Sequence, residues 1–443
     1  MLKKVTLFAA LMIIALAGSS AGYDYFDVTW GDDNTGLTAR SLAMGGVGMN
    51  SEVNGTAVFL NPAQLSRMDG LTLGLDYRLT YAREDWSFPA HDNFDGYLVD
   101  NIYSQSAVVY PDFGFSIGYK SNKKRFSPGI GISYHPLKDY RYNYEEEVRE
   151  SSGFAQPNER DSLISINSVR NEGRAYYLGF GAGWDFKPFH VGISYNYAPA
   201  AENSDREFEK KKIYPDTTVT NTIDEKFVSP KETGYFLVGL SFRPSDRFQA
   251  SFTLRPEYMV EYGYSEYNIP LTISQSGIYE EVIPFEIGTA LSYRPRSATM
   301  SYLEVEFHYI HWSHYRLYDE GTQTVYGADT TATAIDTTYH DNLENIWEVR
   351  VGVEHRFFGG IPARFGFRVS PIPDNRSVLT TVVSVGTGFA FGNLQIDLAG
   401  ALTNRSSRQS GWFATGNRWD AEINKLKESH LQGTVSALYR FEL

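Results

Sequence analysis

The chain has 443 residues, no cysteine and a formal net charge of -13. Without cysteine there are no disulfides, thiolate metal sites or Cys nucleophiles, and the acidic balance excludes the basic footprint that nucleic acid requires. A mean hydropathy of -0.34 looks soluble, but with 31 Tyr, 28 Phe and 39 Gly it suits equally a membrane barrel in which only alternate residues face lipid.

In chain order, the N-terminus reads as an export signal. Lys3 and Lys4 precede an almost wholly apolar run from Val5 to Ala17, and Ser19-Ser20-Ala21 supplies small residues for cleavage. That run is too short for a membrane-spanning helix, which needs about 20 residues. Residues 1–21 are therefore expected to be removed. Residues 22–70 do not alternate. Gly45, Gly46, Gly48, Met44, Met49, Phe59 and Leu60 make this stretch too apolar for a tail and too short for an independent domain. A plug inside a lumen fits best.

From residue 71 the pattern changes. In LTLGLDYRLTYA, Leu71, Leu73, Leu75, Tyr77, Leu79 and Tyr81 alternate with Thr72, Gly74, Asp76, Arg78, Thr80 and Ala82. Period-two alternation marks a strand with two unlike faces. Fourteen such segments start near residues 71, 107, 129, 174, 188, 234, 246, 282, 298, 345, 361, 380, 393 and 431, the third and twelfth being the least regular. Tight turns at Lys187-Pro188, Arg243 to Asp246, Arg294 to Ser297, Gly359 to Pro362 and Gly392-Asn393 alternate with polar loops near 83–106, 143–173, 200–232, 264–281, 314–343 and 403–430, and a shorter one near 371–379. Short turns at one end and long loops at the other are the pattern of a transmembrane antiparallel β-barrel of the outer membrane. A soluble sandwich or propeller would leave its charged face unpaired in a core; a wet lumen tolerates it.

Ala39-Arg40-Ser41-Leu42-Ala43-Met44-Gly45-Gly46, followed by Val58 to Ala63 with Asn61-Pro62-Ala63, resembles the N-terminal hatch signature of the FadL family of outer-membrane transporters of hydrophobic compounds. Leu303 to Tyr315 with its Trp312-Ser313 pair, Glu348 to Asp374, and Gly386 to Ala399 resemble later family segments in the same order. The resemblance implies a hatch that plugs a fourteen-stranded barrel and a ligand, such as a long-chain fatty acid, that leaves sideways through the wall. The related PorV branch, which handles cargo in type IX protein secretion, shares these motifs and is the alternative. The expected surroundings are outer-membrane lipid and lipopolysaccharide, with insertion by the barrel-assembly machinery. The end at Leu443, with Phe441 before it, makes the assembly signal slightly atypical.

Candidate chemistry is sparse. His308, His311 and His314 have a metal-like spacing, but in a strand His308 and His311 point to opposite faces and His308 and His314 lie about 20 Å apart. No nucleophile and base pairing stands out, so no enzyme and no cofactor are expected. The inward phase collects Glu304, Glu306 and His308, then Glu348, Arg350, Glu354 and Arg356, then Arg364 and Arg368. Counting from the turn places Glu354 diagonal to Arg364, and Arg368 near Arg350 and Glu354. These charges either hold the hatch and shape a ligand path or pair wall to wall. Pro111 and Pro136 cannot donate to a ladder. They mark either a lateral gate between the second and third strands or the points where those strands leave the membrane.

Overall fold

The computed structural model describes residues 31–92, 94, 96–121, 127–149, 162–200, 205–214, 220–268, 272–295, 301–326, 330–339, 342–357, 360–409, 411–413 and 424–441. The expected signal peptide, residues 1–21, and the start of the expected hatch, residues 22–30, lie outside the described residues.

Fourteen strands form the wall: β1 Gly70–His91, β2 Tyr97–Lys120, β3 Gly129–Asp139, β4 Arg174–Phe186, β5 Phe189–Ala198, β6 Thr233–Phe242, β7 Phe248–Arg255, β8 Glu286–Tyr293, β9 Ser301–Ile310, β10 Ile346–Arg356, β11 Pro362–Pro371, β12 Leu379–Phe391, β13 Leu394–Gln409 and β14 Asn424–Phe441. Each pairs antiparallel with the next, and β14 pairs with β1 from Leu71 opposite Phe441 to Ser87 opposite Lys425, which closes the barrel. The faces are inverted relative to a water-soluble protein. On β1, Leu75 and Tyr77 are 66% and 53% exposed while Asp76 and Arg78 are 8% and 6% exposed. Apolar residues point outward around the circumference, from Phe113 to Phe180, Phe236, Leu291, Phe365 and Val435. A belt of this extent needs a lipid solvent.

The polar stretches expected to be loops are mostly strands. Tyr142–Arg149, Leu163–Asn171, Arg206–Ile213, Thr220–Pro230, Tyr258–Asn268, Ile273–Ile283, Arg316–Val325 and Thr331–Tyr339 pair in succession into an upper tier above one side of the wall. Above the membrane neither face meets lipid, so the apolar alternation that betrays a membrane strand is lost although the ladder continues. β12, expected to be irregular, pairs on both edges without a shift. Its alternation is blurred because its inward Val382 packs against Leu42 and Ala43 of the N-terminal segment.

Candidate functional site

The described N-terminal segment, residues 31–69, lies within the lumen. It folds as α1 Ala39–Ala43, α2 Ala57–Leu60 and a 3-10 turn Pro62–Arg67. Thr38 caps α1, its hydroxyl accepting from Ser41 N–H at 3.1 Å. The wall grips the segment from all sides. Ala39 N–H donates to Ser436 of β14 at 2.7 Å, Gly45 N–H to Ser384 of β12 at 2.9 Å, and Asn61 Nδ2 to Ser241 of β6 at 3.1 Å. Ser194 of β5 donates to Val58 O at 2.6 Å. Gly45 and Gly46 have φ of 75° and 86°, the left-handed region that favours glycine. A Cβ on Gly45 would also lie 2.7 Å from the Phe367 backbone of β11. Asn61 organises the Asn-Pro-Ala turn. Its Oδ1 accepts from Ala63 N–H at 3.1 Å and its Nδ2 also donates to Met49 O at 2.8 Å. Pro62 occupies the first turn of the 3-10 helix, where its missing N–H costs nothing. Burial raises the Glu52 carboxyl above its usual range, against the pull of Arg40.

The lumen charges serve both wall and segment. Glu306 accepts from Gly48 and Met49 N–H at 2.7 Å each, and Glu304 from Asn50 N–H at 2.6 Å. His308 bridges Glu306 at 3.1 Å and Glu286 at 2.9 Å, and Glu286 in turn meets Arg255 at 3.0 Å. Arg350 pairs with Glu348, donates to Gly46 O at 3.2 Å and lies 3.7 Å from Glu306. Glu354 takes Arg364 at 2.7 Å, Arg356 at 3.2 Å and Arg40 of the segment at 3.1 Å. Two expected placements change. Glu354 is directly opposite Arg364, not diagonal to it, and Arg368 faces Arg350 and lies 3.7 Å from Glu348 rather than near Glu354. The hairpin pairs Arg356 with Pro362, a register the turn residues do not announce. Among the residues not anticipated are Arg40, which lies in the non-alternating segment, Arg255 and Glu286, and Asp397 of β13, 2.7 Å from Arg364.

Around Pro111 and Pro136 the wall changes character. β2 and β3 pair from Lys120 opposite Gly129 up to Phe115 opposite Tyr134, and there the ladder stops. It resumes only at Ser104 opposite Glu146. Continuing the lower register sets Phe113 against Pro136 and Pro111 against Lys138. On its other edge β3 has a register shift between Pro136 and Lys138. The freed edge of β3 is taken by the N-terminal segment, where Asp32 and Asp33 pair with Asp139 and Lys138. Burial pushes the Asp32 carboxyl up to about 6, opposed by Arg368 and Arg405. On the lipid side the seam is roofed by rings, with Tyr134 stacked on Tyr176 at 5.0 Å and Phe113 5.6 Å from Tyr176. Asp112, inward on β2, meets Arg141 at 3.1 Å and, through the gap, Arg174 at 2.9 Å, whose guanidinium lies over the Tyr176 ring at 5.7 Å, and His135 lies 3.2 Å from Asp76.

A cavity of about 140 Å³ lies between segment and wall. Leu37, Met49, Phe59, Leu60, Leu137 and Leu237 form its apolar side, and Arg255, Glu286, His308 and Arg350 its polar side. Leu137 belongs to the bulge of β3 at the open seam. A second cavity, of about 620 Å³, lies under the segment among residues of the short turns, including Arg247, Arg294 and Arg356. The histidines do not follow the strand geometry expected of them. β9 ends at Ile310 and a 3-10 turn over Trp312–His314 brings His311 and His314 within 5.2 Å, edge to face. His308 stays inside with its carboxylates. Among the described residues no group of three metal-ligating side chains forms a site, and no helix is long and apolar enough to cross a membrane.

No protein-family model matches the chain, and no curated protein matches it in sequence. Solved structures do match in fold. A FadL homologue of Pseudomonas aeruginosa superposes with a TM-score of 0.59 at 12% identity, covering 93% of this chain and all of that one. The toluene transporter TodX of P. putida gives 0.58 at 14% identity with the same coverage, and the toluene transporter TbuX of Ralstonia pickettii 0.54 at 14%, covering 92% and 99%. With its closed fourteen-stranded wall and lipid-facing exterior, the chain therefore has the fold of the FadL-type barrels of the Gram-negative outer membrane.

Proposed function

We propose that this protein is an outer-membrane channel for passive uptake of hydrophobic small molecules. Residues 22–70 act as its hatch, Asn61-Pro62-Ala63 and Gly45-Gly46 fix that hatch to the wall, and ligand leaves sideways between β2 and β3 at Pro111 and Pro136. The observation that carries the reading is the half-apolar chamber whose wall ends on Leu137, beside a seam without backbone ladder. A chamber of about 150 Å³ suffices to hold benzene in an apolar protein interior. By size, and along its apolar side, the chamber suits a monoaromatic compound, the kind of substrate named for the toluene transporters above. A long-chain fatty acid requires the hatch to move further. A role in cargo secretion would call for a wide lumen open to the outside, whereas here residues 31–69 occupy it.

The cysteine-free chain gives a direct test. Cys at 113 and 136, joined by a disulfide or a short bis-maleimide, bridge the seam. Closed, the protein is expected to lose uptake of toluene into liposomes and, for the disulfide, to regain it on reduction. Full uptake through the bridged protein would remove this seam from the path.

A further inference from the structure

We propose that Asp112 is the latch of the lateral seam, holding β2 to β3 and β4 by side-chain ion pairs where the backbone ladder is absent. The inference rests on the lateral-exit reading above.

The gap spans residues 105–114 of β2 and 135–145 on the facing side, bounded by Phe115 opposite Tyr134 below and Ser104 opposite Glu146 above. On the β3 side Asp32 and Asp33 take up the backbone of Asp139 and Lys138, and the β2 side must find partners of its own, because a barrel wall in lipid cannot leave backbone groups without them. Asp112 lies within this stretch and points inward, 4% exposed, between the outward Pro111 and Phe113. Its two oxygens reach across to different elements. Oδ1 and Oδ2 accept from Arg141, just beyond the end of β3, at 3.2 and 3.1 Å, and Oδ1 accepts from Arg174, the first residue of β4, at 2.9 Å. Arg174 also donates to the carbonyl of Pro111 at 3.0 Å, satisfying β2 backbone that has lost its neighbour. Arg141 is held in place by Asp139 and by the Tyr110 ring, 4.3 Å from its guanidinium carbon.

This differs in kind from a ladder. Backbone pairing is distributed over many residues and opens only with the strand. Here one carboxylate joins three elements, so opening requires two contacts to be given up together. Both guanidinium groups are charged at every physiological pH. A passing apolar molecule moves the Phe113, Tyr134 and Tyr176 rings but cannot replace the ion pairs of Asp112. The latch therefore sets the closed population of the exit.

The test places spin labels at Val109 on β2 and Asn143 on the facing segment, both exposed residues outside the latch, and measures their separation in lipid for the parent, Asp112→Asn and Arg174→Gln. The second variant keeps the test available if the first does not insert. The latch predicts a longer and broader distance distribution in either variant, with toluene uptake raised about threefold or more. A lengthened distance with unchanged uptake keeps the latch and removes the lateral exit from the transport path. An unchanged distance in folded variants overturns the latch.

Discussion

The wall contains two seams of opposite design. From β9 to β11 the ladder is continuous, running without a shift from Ser301 opposite His355 to Val349 opposite Val369. There the inward carboxylates pair with wall cations and also reach the N-terminal segment. Glu304 and Glu306 grip the backbone of residues 48–50, and Glu354 takes Arg40. Between β2 and β3 the ladder is missing, and Asp112 is committed to the wall itself. The same carboxylate and guanidinium chemistry therefore does two jobs, decided by whether the backbone already holds the strands together. Where it does, buried charge can reach the N-terminal segment as well as the wall; where it does not, buried charge replaces the sheet.

Four measurements can break or sharpen this contrast, in order of expected effect. Deleting residues 23–69 removes what the continuous seam grips, and single-channel conductance should rise several-fold. Unchanged conductance through an intact barrel would mean that the segment does not plug the lumen. Arg364→Ala leaves Glu354 and Asp397 buried beside a missing cation, a loss of about 3–5 kcal/mol. It should lower the temperature at which the unheated protein loses its anomalous gel mobility far more than Asp112→Asn does. Comparable losses would mean that both seams rely on ion pairs to the same degree. Glu306→Ala removes two charged hydrogen bonds to backbone, each worth about 1.5–3 kcal/mol. Amide exchange at Gly48 and Met49 should accelerate tenfold or more, while exchange at Ala63 and Gln64, held by Asn61, stays as it was. Equal acceleration in both halves would show that the segment moves as one body. Smallest is Gly45→Ala, where positive φ and the nearby Phe367 backbone cost about 1 kcal/mol or slightly more. A modest fall in thermal midpoint with wild-type uptake is expected, and a rise would contradict the close approach to β11.

Much of this was legible in the sequence because lipid imposes a strict rule on alternate residues. Leu75, Tyr77 and Leu79 had to face out, so Asp76 and Arg78 had to face in, and the strand count follows from repeating that pattern. The upper tier was mostly not legible, since strands such as Thr331–Tyr339 are polar on both faces and carry no apolar alternation to read, although Tyr258, Val260, Tyr262 and Tyr264 do alternate. The seam was half legible. Pro111 and Pro136 announce that hydrogen bonds are missing, and counting from the 120–128 turn gives the register that the lower ladder keeps. Asp112 carried no sign of its role beyond following Pro111 at an inward phase, because its partners Arg141 and Arg174 come from segments whose proximity depends on the break itself. Arg40 was hidden for a similar reason, since a segment without regular period offers no face to assign.

The upper tier also bears on where a ligand of the proposed channel would first meet this protein. β2 alone has 24 residues, and at about 3.3 Å per residue with a tilt of roughly 40° it rises ~60 Å. The apolar belt of such barrels is only about 25 Å tall, so more than half of the column stands outside the bilayer. In a leaflet built of lipopolysaccharide that outer half would pass through the oligosaccharide layer, the hydrated barrier that keeps oily compounds from reaching the acyl chains beneath. On the proposed lateral-exit reading, the entrance would then open beyond the sugars and the exit among the lipid tails, so that the protein would serve as a bypass around the one layer that a hydrophobic molecule cannot cross unaided.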